Sequence, residues 1–176
     1  MVEFGYSPLG VIIQEDIRAL DFLLSRFPEI DQNKIGCIGH SFGGIRCMYL
    51  AAIDNRIKVI ALSNSIERFR ESPNFGGVQT WMAILPKIAQ YTGGNGMLAL
   101  ISPRPLILFY SENDPIFPAE DVEFLMDPLK KVYDLLGKKD NLKIIKIQNS
   151  AHEFPTEYHY LAYEFFDKYF KNNESY

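Results

Sequence analysis

The chain has 176 residues, which is enough for one domain with a substantial hydrophobic core. Its hydrophobic share of 47%, its charged share of 23% and its net charge of −4 are those of an ordinary globular protein, and the lack of basic clusters argues against a nucleic-acid partner. No apolar stretch reaches the about 18–20 residues that cross a bilayer, and no signal-peptide pattern opens the sequence, so we expect a cytoplasmic protein that does not enter a membrane.

The first part of the chain alternates between helical and strand patterns. Apolar residues recur at helical spacing from Val11 to Phe27, and a turn follows. Two short apolar runs, Lys34–Gly39 and Ile57–Leu62, are predicted strands, and Ile45–Ile53 between them has the spacing of a helix. The order strand, helix, strand indicates two parallel strands joined by a crossover helix.

A long segment with little regular pattern, Ser63–Ser102, comes next and is rich in glycine and proline. Connections of this length usually carry function or small elements of their own, so we predict a cap-like insertion at about residues 64–102, with a helical patch around Trp81. Trp81 is a candidate for contact with a substrate, as are Phe75 and Met82, although packing within a small cap explains these side chains equally well.

The second half of the chain continues the alternation. The run Pro105–Ser111 is apolar almost throughout, as in a strand buried on both faces, and Leu142–Gln148 is a further predicted strand. Between them a helix begins near Pro118, and we expect Asp127-Pro128 to break it into two. An aromatic-rich helix over Tyr158–Phe170 ends the pattern.

These elements predict an α/β fold in a single domain over residues 1–176, with a mostly parallel sheet of about four strands and helices on both faces. Ligands of such sheets bind at the carboxyl ends of the strands. Three of the predicted strands are followed there by polar residues with catalytic chemistry, namely Ser41, Asp114 and His152. Their order along the chain, serine then aspartate then histidine, is that of hydrolases with a nucleophile elbow.

The serine lies in Gly39-His40-Ser41-Phe42-Gly43, which fits the G-x-S-x-G pattern between a predicted strand and a predicted helix. So sharp a turn strains the backbone of the serine and lifts its hydroxyl clear of the sheet. We expect glycine at positions 39 and 43 because a side chain at either position would collide with neighbouring backbone. A plain glycine-rich turn with a capping serine is the alternative interpretation.

Asp114 is the candidate acid. Its carboxylate would fix the tautomer of an imidazole and stabilise the charged form of that ring, although a simple Asx turn before Pro115 also explains this residue. Glu112 is a rival for the role, because it lies two residues closer to the strand, and Asp121 is a weaker rival.

His152 is the candidate base, because it lies in the loop after the last predicted strand. His159 is predicted to lie on the final helix, where it packs or faces water, and His40 flanks the serine and is a candidate for substrate contact. Neither the histidines nor the cysteines have the spacing of a metal site, so we expect no metal. Cys37 and Cys47 are predicted to be small buried hydrophobic residues.

Three blocks of the sequence resemble a known family. They are DIRALDFLLSRFPEIDQNKIGCIGHSFGG with the elbow, ALISPRPLILFYSENDPIFP with the acid loop, and KKVYDLLGKKDNLKIIKIQNSAHEF leading to the histidine. In this order they are similar to the carboxyl-terminal half of an α/β-hydrolase of the dienelactone hydrolase and acetyl xylan esterase type. The resemblance implies Ser41 as nucleophile, Asp114 as acid and His152 as base. It also implies cleavage of carboxylic esters, often acetyl esters, without a cofactor.

The resemblance covers only part of the family's fold. A full α/β-hydrolase carries further strands before the elbow, and a loop among them supplies one oxyanion N–H, the other being that of the residue after the nucleophile, here Phe42. There are three alternatives for the missing oxyanion donor: another N–H of this chain replaces it, a second chain supplies it, or the activity is weak.

Without those strands Lys34–Gly39 would be a bare sheet edge. We therefore expect a homo-oligomer that covers this edge, or a separate polypeptide that supplies the first half.

Together these observations predict a serine esterase for small carboxylic esters, with acetyl esters favoured, that acts through an acyl-enzyme on Ser41. Two alternatives stay open. One is another hydrolase with the same three residues, a thioesterase or a peptidase, which only a panel of substrates distinguishes. The other is a non-catalytic binding or oligomerisation module that kept these residues.

Overall fold

The structure is a computed structural model that describes residues 7–66, 91 and 94–171. Its strands are β1 (Ile35–His40), β2 (Ile57–Ser63), β3 (Leu106–Ser111) and β4 (Leu142–Ile147). Its helices are α1 (Pro8–Arg26), α2 (Phe42–Ile53), α3 (Gly94–Ile101), α4 (Ala119–Leu135) and α5 (Thr156–Lys171). A short 3₁₀ turn, Lys139–Asn141, precedes β4. Within the described ranges, no helix is both long enough and apolar enough for a membrane span.

The strands form one parallel sheet of four strands in the order β1-β2-β3-β4, so the predicted sheet is confirmed. Their ends agree with the sequence-based prediction to within one residue. The register sets His40 beside Ser63 and Ser63 beside Phe109. Because all four carboxyl ends lie along one edge of the sheet, the residues that follow the strands converge there.

Side chains on the two central strands alternate between two apolar layers. One layer forms with helices α1 to α4 and includes Ile60, Leu62, Leu106 and Leu108. The other forms with α5 and includes Val59, Ala61, Ile107 and Phe109. All eight side chains are at most 2% exposed. Helices therefore cover both faces of the sheet, as predicted, and full burial of each large apolar side chain contributes about 1.5–3 kcal/mol to stability.

Helix α4 runs without interruption through Pro128, so the predicted break at Asp127-Pro128 is wrong. Proline inside a helix removes a backbone hydrogen bond and costs about 3 kcal/mol. The turns on either side of this proline bury four side chains in the core, those of Leu125, Met126, Leu129 and Tyr133. The gain from burying them outweighs the local cost of the proline.

The end of the segment predicted to be irregular is a helix, α3, with three side chains buried in the core: Met97, Leu98 and Ile101. This helix packs between α2 and α4. The carboxyl-terminal end of the predicted insertion, which is helix α3, is thus part of the apolar layer formed with helices α1 to α4. The predicted helical patch around Trp81, and the candidates Phe75 and Met82, lie outside the described residues.

Strand β1 is an edge of the sheet, because in the described part of the chain it pairs with β2 and with no other strand. At its start, a Cβ on Gly36 would lie 2.5 Å from the ring of Phe166, so α5 packs directly against the backbone there. Two residues further on, Ile38 is 37% exposed. The apolar surface of β1 is therefore covered at Gly36 and open to solvent at Ile38.

Candidate active site

Ser41 is the residue that turns the chain from β1 into α2. Its backbone has φ of +55° and ψ of −129°, a left-handed conformation that a serine adopts only under strain. Its N–H donates to the carbonyl of Ser63 at 2.9 Å, and its own carbonyl accepts from Gly44 at 2.9 Å and Ile45 at 3.1 Å, which begins the helix. These bonds hold the strained turn in place at the carboxyl end of β1.

Two of the three glycines of the turn have no room for a side chain. A Cβ on Gly39 would lie 2.3 Å from the carbonyl oxygen of Gly43, so the predicted collision at position 39 is confirmed. The predicted collision at position 43 is wrong, because a Cβ there would have nothing within 4 Å. The Cβ direction of Gly43 points away from the turn, and the second crowded glycine is Gly44, where a Cβ would lie 2.4 Å from Oγ of Ser65.

The structure brings together the three residues that follow β1, β3 and β4. Oγ of Ser41 lies 2.8 Å from Nε2 of His152, and Nδ1 of the same ring lies 2.8 Å from Oδ2 of Asp114. If the proton is on Nδ1, the ring donates to the carboxylate and accepts from the serine hydroxyl. This arrangement is a continuous hydrogen-bonded path from a hydroxyl to a carboxylate.

The carboxylate of Asp114 is fully buried, with a side-chain exposure of 0%. Its second oxygen, Oδ1, accepts the backbone N–H groups of Ile116 at 2.8 Å and Phe117 at 3.0 Å. Asp114 therefore does form the Asx turn that the sequence allows, and the same side chain also reaches the imidazole. The two interpretations of this residue are compatible, because each uses one oxygen.

Neither rival acid is shown in contact with the imidazole. Oε2 of Glu112 accepts the backbone N–H of Asn149 at 3.0 Å, and Lys146 lies 4.0 Å from its other oxygen. Asp121 is buried in the first turn of α4, as a first-turn helix acid. The geometry therefore favours Asp114 over both.

The His152 ring lies beside two other rings. Its centroid is 4.7 Å from that of His40 and 5.7 Å from that of Phe117. Nδ1 of His40 lies 3.3 Å from Oγ of Ser63, and its ring also stacks on Phe154 at 6.1 Å. Burial lowers the pKa of His40, and the neighbouring His152 lowers it further, while Asp114 opposes the shift. Contact of His40 with a substrate stays a prediction.

The remaining predicted residues fall in three places. Phe42 is the first residue of α2, where the positive end of the helix dipole lies and a backbone N–H has no acceptor within the helix. His159 lies on α5, as predicted, with its ring 4.3 Å from that of Phe154. Trp81 lies outside the described residues.

Cys37 and Cys47 are free thiols, and no metal-binding group of three His, Cys, Asp or Glu residues occurs among the residues described.

One residue of this edge is missing from the sequence-based set. Asn64 follows β2 directly and is 1% exposed. Its amide hydrogen-bonds to Ser111 and to the carbonyl of Glu153, which follows His152. The signal in the sequence was the polar run Ser63-Asn64-Ser65 after a buried strand, at the one strand end to which no candidate was assigned.

Comparisons with known proteins agree with this fold. No family model matches the sequence. YtaP of Bacillus subtilis strain 168, a provisionally assigned hydrolase, is 28% identical over 149 residues, which make up 83% of this chain and 49% of that protein.

Two solved structures superpose on almost the whole chain. Methylesterase BT1017 does so with a TM-score of 0.79 at 23% identity, over 94% of this chain and 36% of its own. A glucuronoyl esterase of carbohydrate esterase family 15 from Caldicellulosiruptor kristjansonii does so with a TM-score of 0.76 at 20% identity, over 93% of this chain and 50% of its own. The chain thus spans half or less of the length of these relatives. Within that span it has the fold of these two solved esterase structures.

Proposed function

We propose that this protein is a serine esterase that hydrolyses small carboxylic esters, acetyl esters first among them, through an acyl-enzyme on Ser41. The observation that carries the proposal is the path of two 2.8 Å contacts from Ser41 through His152 to Asp114. It begins at a strained residue after one parallel strand and ends at a buried carboxylate after another. The fold shared with known esterases supports the same reaction class.

In the first step, Nε2 of His152 takes the hydroxyl proton of Ser41 while Oγ attacks the carbonyl carbon of the ester. The imidazole becomes positively charged, and the carboxylate of Asp114 stabilises that charge through Nδ1. Because two backbone N–H groups already hold the other carboxylate oxygen, little reorientation is needed as the charge develops.

The tetrahedral intermediate places negative charge on the former carbonyl oxygen. The N–H of Phe42, at the start of α2, donates to it, and a second donor comes from another N–H or another chain. The alcohol then leaves with the proton from His152, which gives the acyl-enzyme. Water, deprotonated by the same ring, attacks the acyl carbon and releases the acid and the free serine. Absence of the second donor would lower the rate by about 10²–10³-fold.

The test is hydrolysis of 4-nitrophenyl acetate by the wild type and by Ser41→Ala. We expect the variant to lose at least about 10³-fold in kcat, because no nucleophile remains. Ser25→Ala is the matched control, since Ser25 is an exposed serine on α1 whose hydroxyl donates to the carbonyl of Phe22 at 2.9 Å. Hydrolysis that survives the change at position 41 would show that the nucleophile is assigned wrongly.

Esters of sugar acids are a second candidate substrate class, because the superposed structures include a methylesterase and a glucuronoyl esterase. A panel separates the candidates: acetylated xylan, methyl glucuronate, a short-chain acyl thioester and a peptide anilide. Preference for the acetyl ester supports the proposal. Preference for the thioester or the anilide would reassign the protein within the same fold.

A further inference from the structure

Asn64 is fixed at the point where the chain leaves β2. Its side chain is buried, and its backbone has φ of +44°, a conformation that asparagine tolerates better than most residues. Its backbone N–H donates to the carbonyl of Phe109 on β3 at 3.0 Å. This hydrogen bond fixes the backbone of Asn64 beside the two central strands, β2 and β3.

Every polar atom of the Asn64 side chain is used. Oδ1 accepts the N–H of Ser111 at 2.7 Å, while Nδ2 donates to Oγ of Ser111 at 2.9 Å and to the carbonyl of Glu153 at 2.8 Å. The N–H of Ser111 needs an acceptor, and the carbonyl of Glu153 needs a donor. These two partners therefore determine which side of the amide carries Oδ1 and which carries Nδ2. The amide thereby joins the end of β3 to the residue that follows His152.

The chain neighbour of Asn64 holds the other side of the site. The carbonyl of Ser63 accepts the N–H of Ser41 at 2.9 Å. Ser63 thus contacts the turn that carries Ser41, and Asn64 contacts the loop that carries His152. The distance between Ser41 and His152 depends on this short connection.

Buried serines extend the network to the acid. Oγ of Ser111 lies 3.3 Å from Oγ of Ser150, and the carbonyl of Ser150 accepts the N–H of Asn113, next to Asp114, at 2.9 Å. Both serines are at most 6% exposed. A satisfied polar network in a buried setting holds a single arrangement, because breaking any bond leaves a group unpaired.

We propose that Asn64 is a positioning residue that holds the loop of His152 at hydrogen-bonding distance from Ser41; this inference rests on the proposed function. An aspartate at position 64 keeps the acceptor for the Ser111 N–H and places a carboxylate oxygen against the carbonyl of Glu153. Two oxygens cannot share that contact, so the loop moves. A displacement of about 1 Å costs about 10²-fold in rate.

The test compares Asn64→Asp with Asn149→Asp in hydrolysis of 4-nitrophenyl acetate. Asn149 is the matched control, because it also has a positive φ, of 53°, but is exposed. We expect kcat of the first variant to fall about 10²-fold with KM changed less than about threefold, and both constants of the second to stay within about threefold of wild type. Circular dichroism establishes that each protein is folded at the assay temperature.

A folded Asn64→Asp protein with wild-type kcat, or with its loss confined to KM, would overturn the inference. If this variant does not fold, Asn64→Gly takes its place, since glycine tolerates the positive φ and removes the amide that bonds to the carbonyl of Glu153. We expect kcat of Asn64→Gly to fall at least about tenfold, and an unchanged kcat would overturn the inference. Activity retained by Ser41→Ala would instead refute the proposed function.

Discussion

The carboxylate of Asp114 is held by different partners at its two oxygens. Ile116 and Phe117 donate backbone N–H groups to one oxygen, and His152 faces the other. The backbone bonds fix the plane of the carboxylate, so its second oxygen stays aimed at the ring. Glu112, by contrast, has a side chain that is 34% exposed and bonds a backbone N–H of the same loop.

We therefore expect Asp114→Asn to lower kcat for 4-nitrophenyl acetate by about 10⁴-fold, because an amide NH₂ in place of Oδ2 favours the wrong tautomer of His152. Glu112→Gln is the control and should stay within about tenfold of wild type, since it keeps an acceptor for Asn149. Equal losses in the two variants would contradict the assignment of the acid.

His40 gives a prediction about stability and pH. Its pKa is lowered from the usual 6.5, first by burial and then by His152 and His159, while Asp114 opposes the shift. The unfolded chain therefore binds a proton at higher pH than the folded protein does. The contribution of neutral His40 to stability is present above pH 6.5 and is lost as the pH falls through the lower folded pKa.

Between about pH 7.5 and pH 5, the urea midpoint of the wild type should thus fall more than that of His40→Gln, which cannot titrate at this position. Other groups titrate in both proteins, so the difference between the two declines isolates His40. Parallel declines would show that this imidazole does not couple folding to pH.

At the scale of elements, the turn from β1 to α2 depends more on Gly39 than on Gly43. A methyl group on Gly39 meets backbone at 2.3 Å, which no rotamer change can relieve, whereas one on Gly43 meets nothing within 4 Å. We expect Gly39→Ala to lower the free energy of unfolding by more than about 3 kcal/mol. Gly43→Ala should be neutral or stabilising by up to about 1 kcal/mol, because alanine favours a helix. Urea unfolding measures both, and a similar cost for the two would contradict the described turn.

The elements that sequence patterns predicted well are the strands. Each is a short apolar run between turn residues, which is a local signal, so its ends lie within one residue of those observed. Two features depend on distant contacts and were missed. Helix α4 continues through Pro128 because its side chains reach a core assembled from other elements. Asn64 acts through residues 111 and 153, which only the fold brings close.

Among the residues of the candidate site, too, some features follow from the sequence pattern and others do not. The positions of Ser41, Asp114 and His152 follow from one rule about strand ends in parallel sheets, and the structure places them in contact. The collision predicted at Gly43 was wrong because the pattern G-x-S-x-G does not say which way each Cβ points.

At the scale of the whole molecule, the open edge at β1 is the feature that predicts assembly. Its backbone groups face no other strand among the described residues, and Ile38 is 37% exposed. We propose that a second copy of the chain pairs along the Lys34–Gly39 edge, because unpaired edge strands readily pair with another chain.

Light scattering at tens of micromolar should therefore report a dimer or a larger homo-oligomer. Ile38→Lys should shift it toward monomer, because a charge on an edge strand opposes pairing. Leu135→Lys is the control, a change of the same kind at an 87% exposed position at the end of α4. A wild-type protein that is monomeric at this concentration would contradict the proposal.

The most direct test of the account is the reaction of the purified protein with a fluorophosphonate, read by intact mass and peptide mapping, because only an activated serine is phosphonylated. We predict one adduct per chain, located on Ser41, and no adduct in Ser41→Ala or in His152→Gln. A folded wild type that takes no label, or that is labelled on a different serine, would contradict the central claim and favour a module that carries these residues without using them.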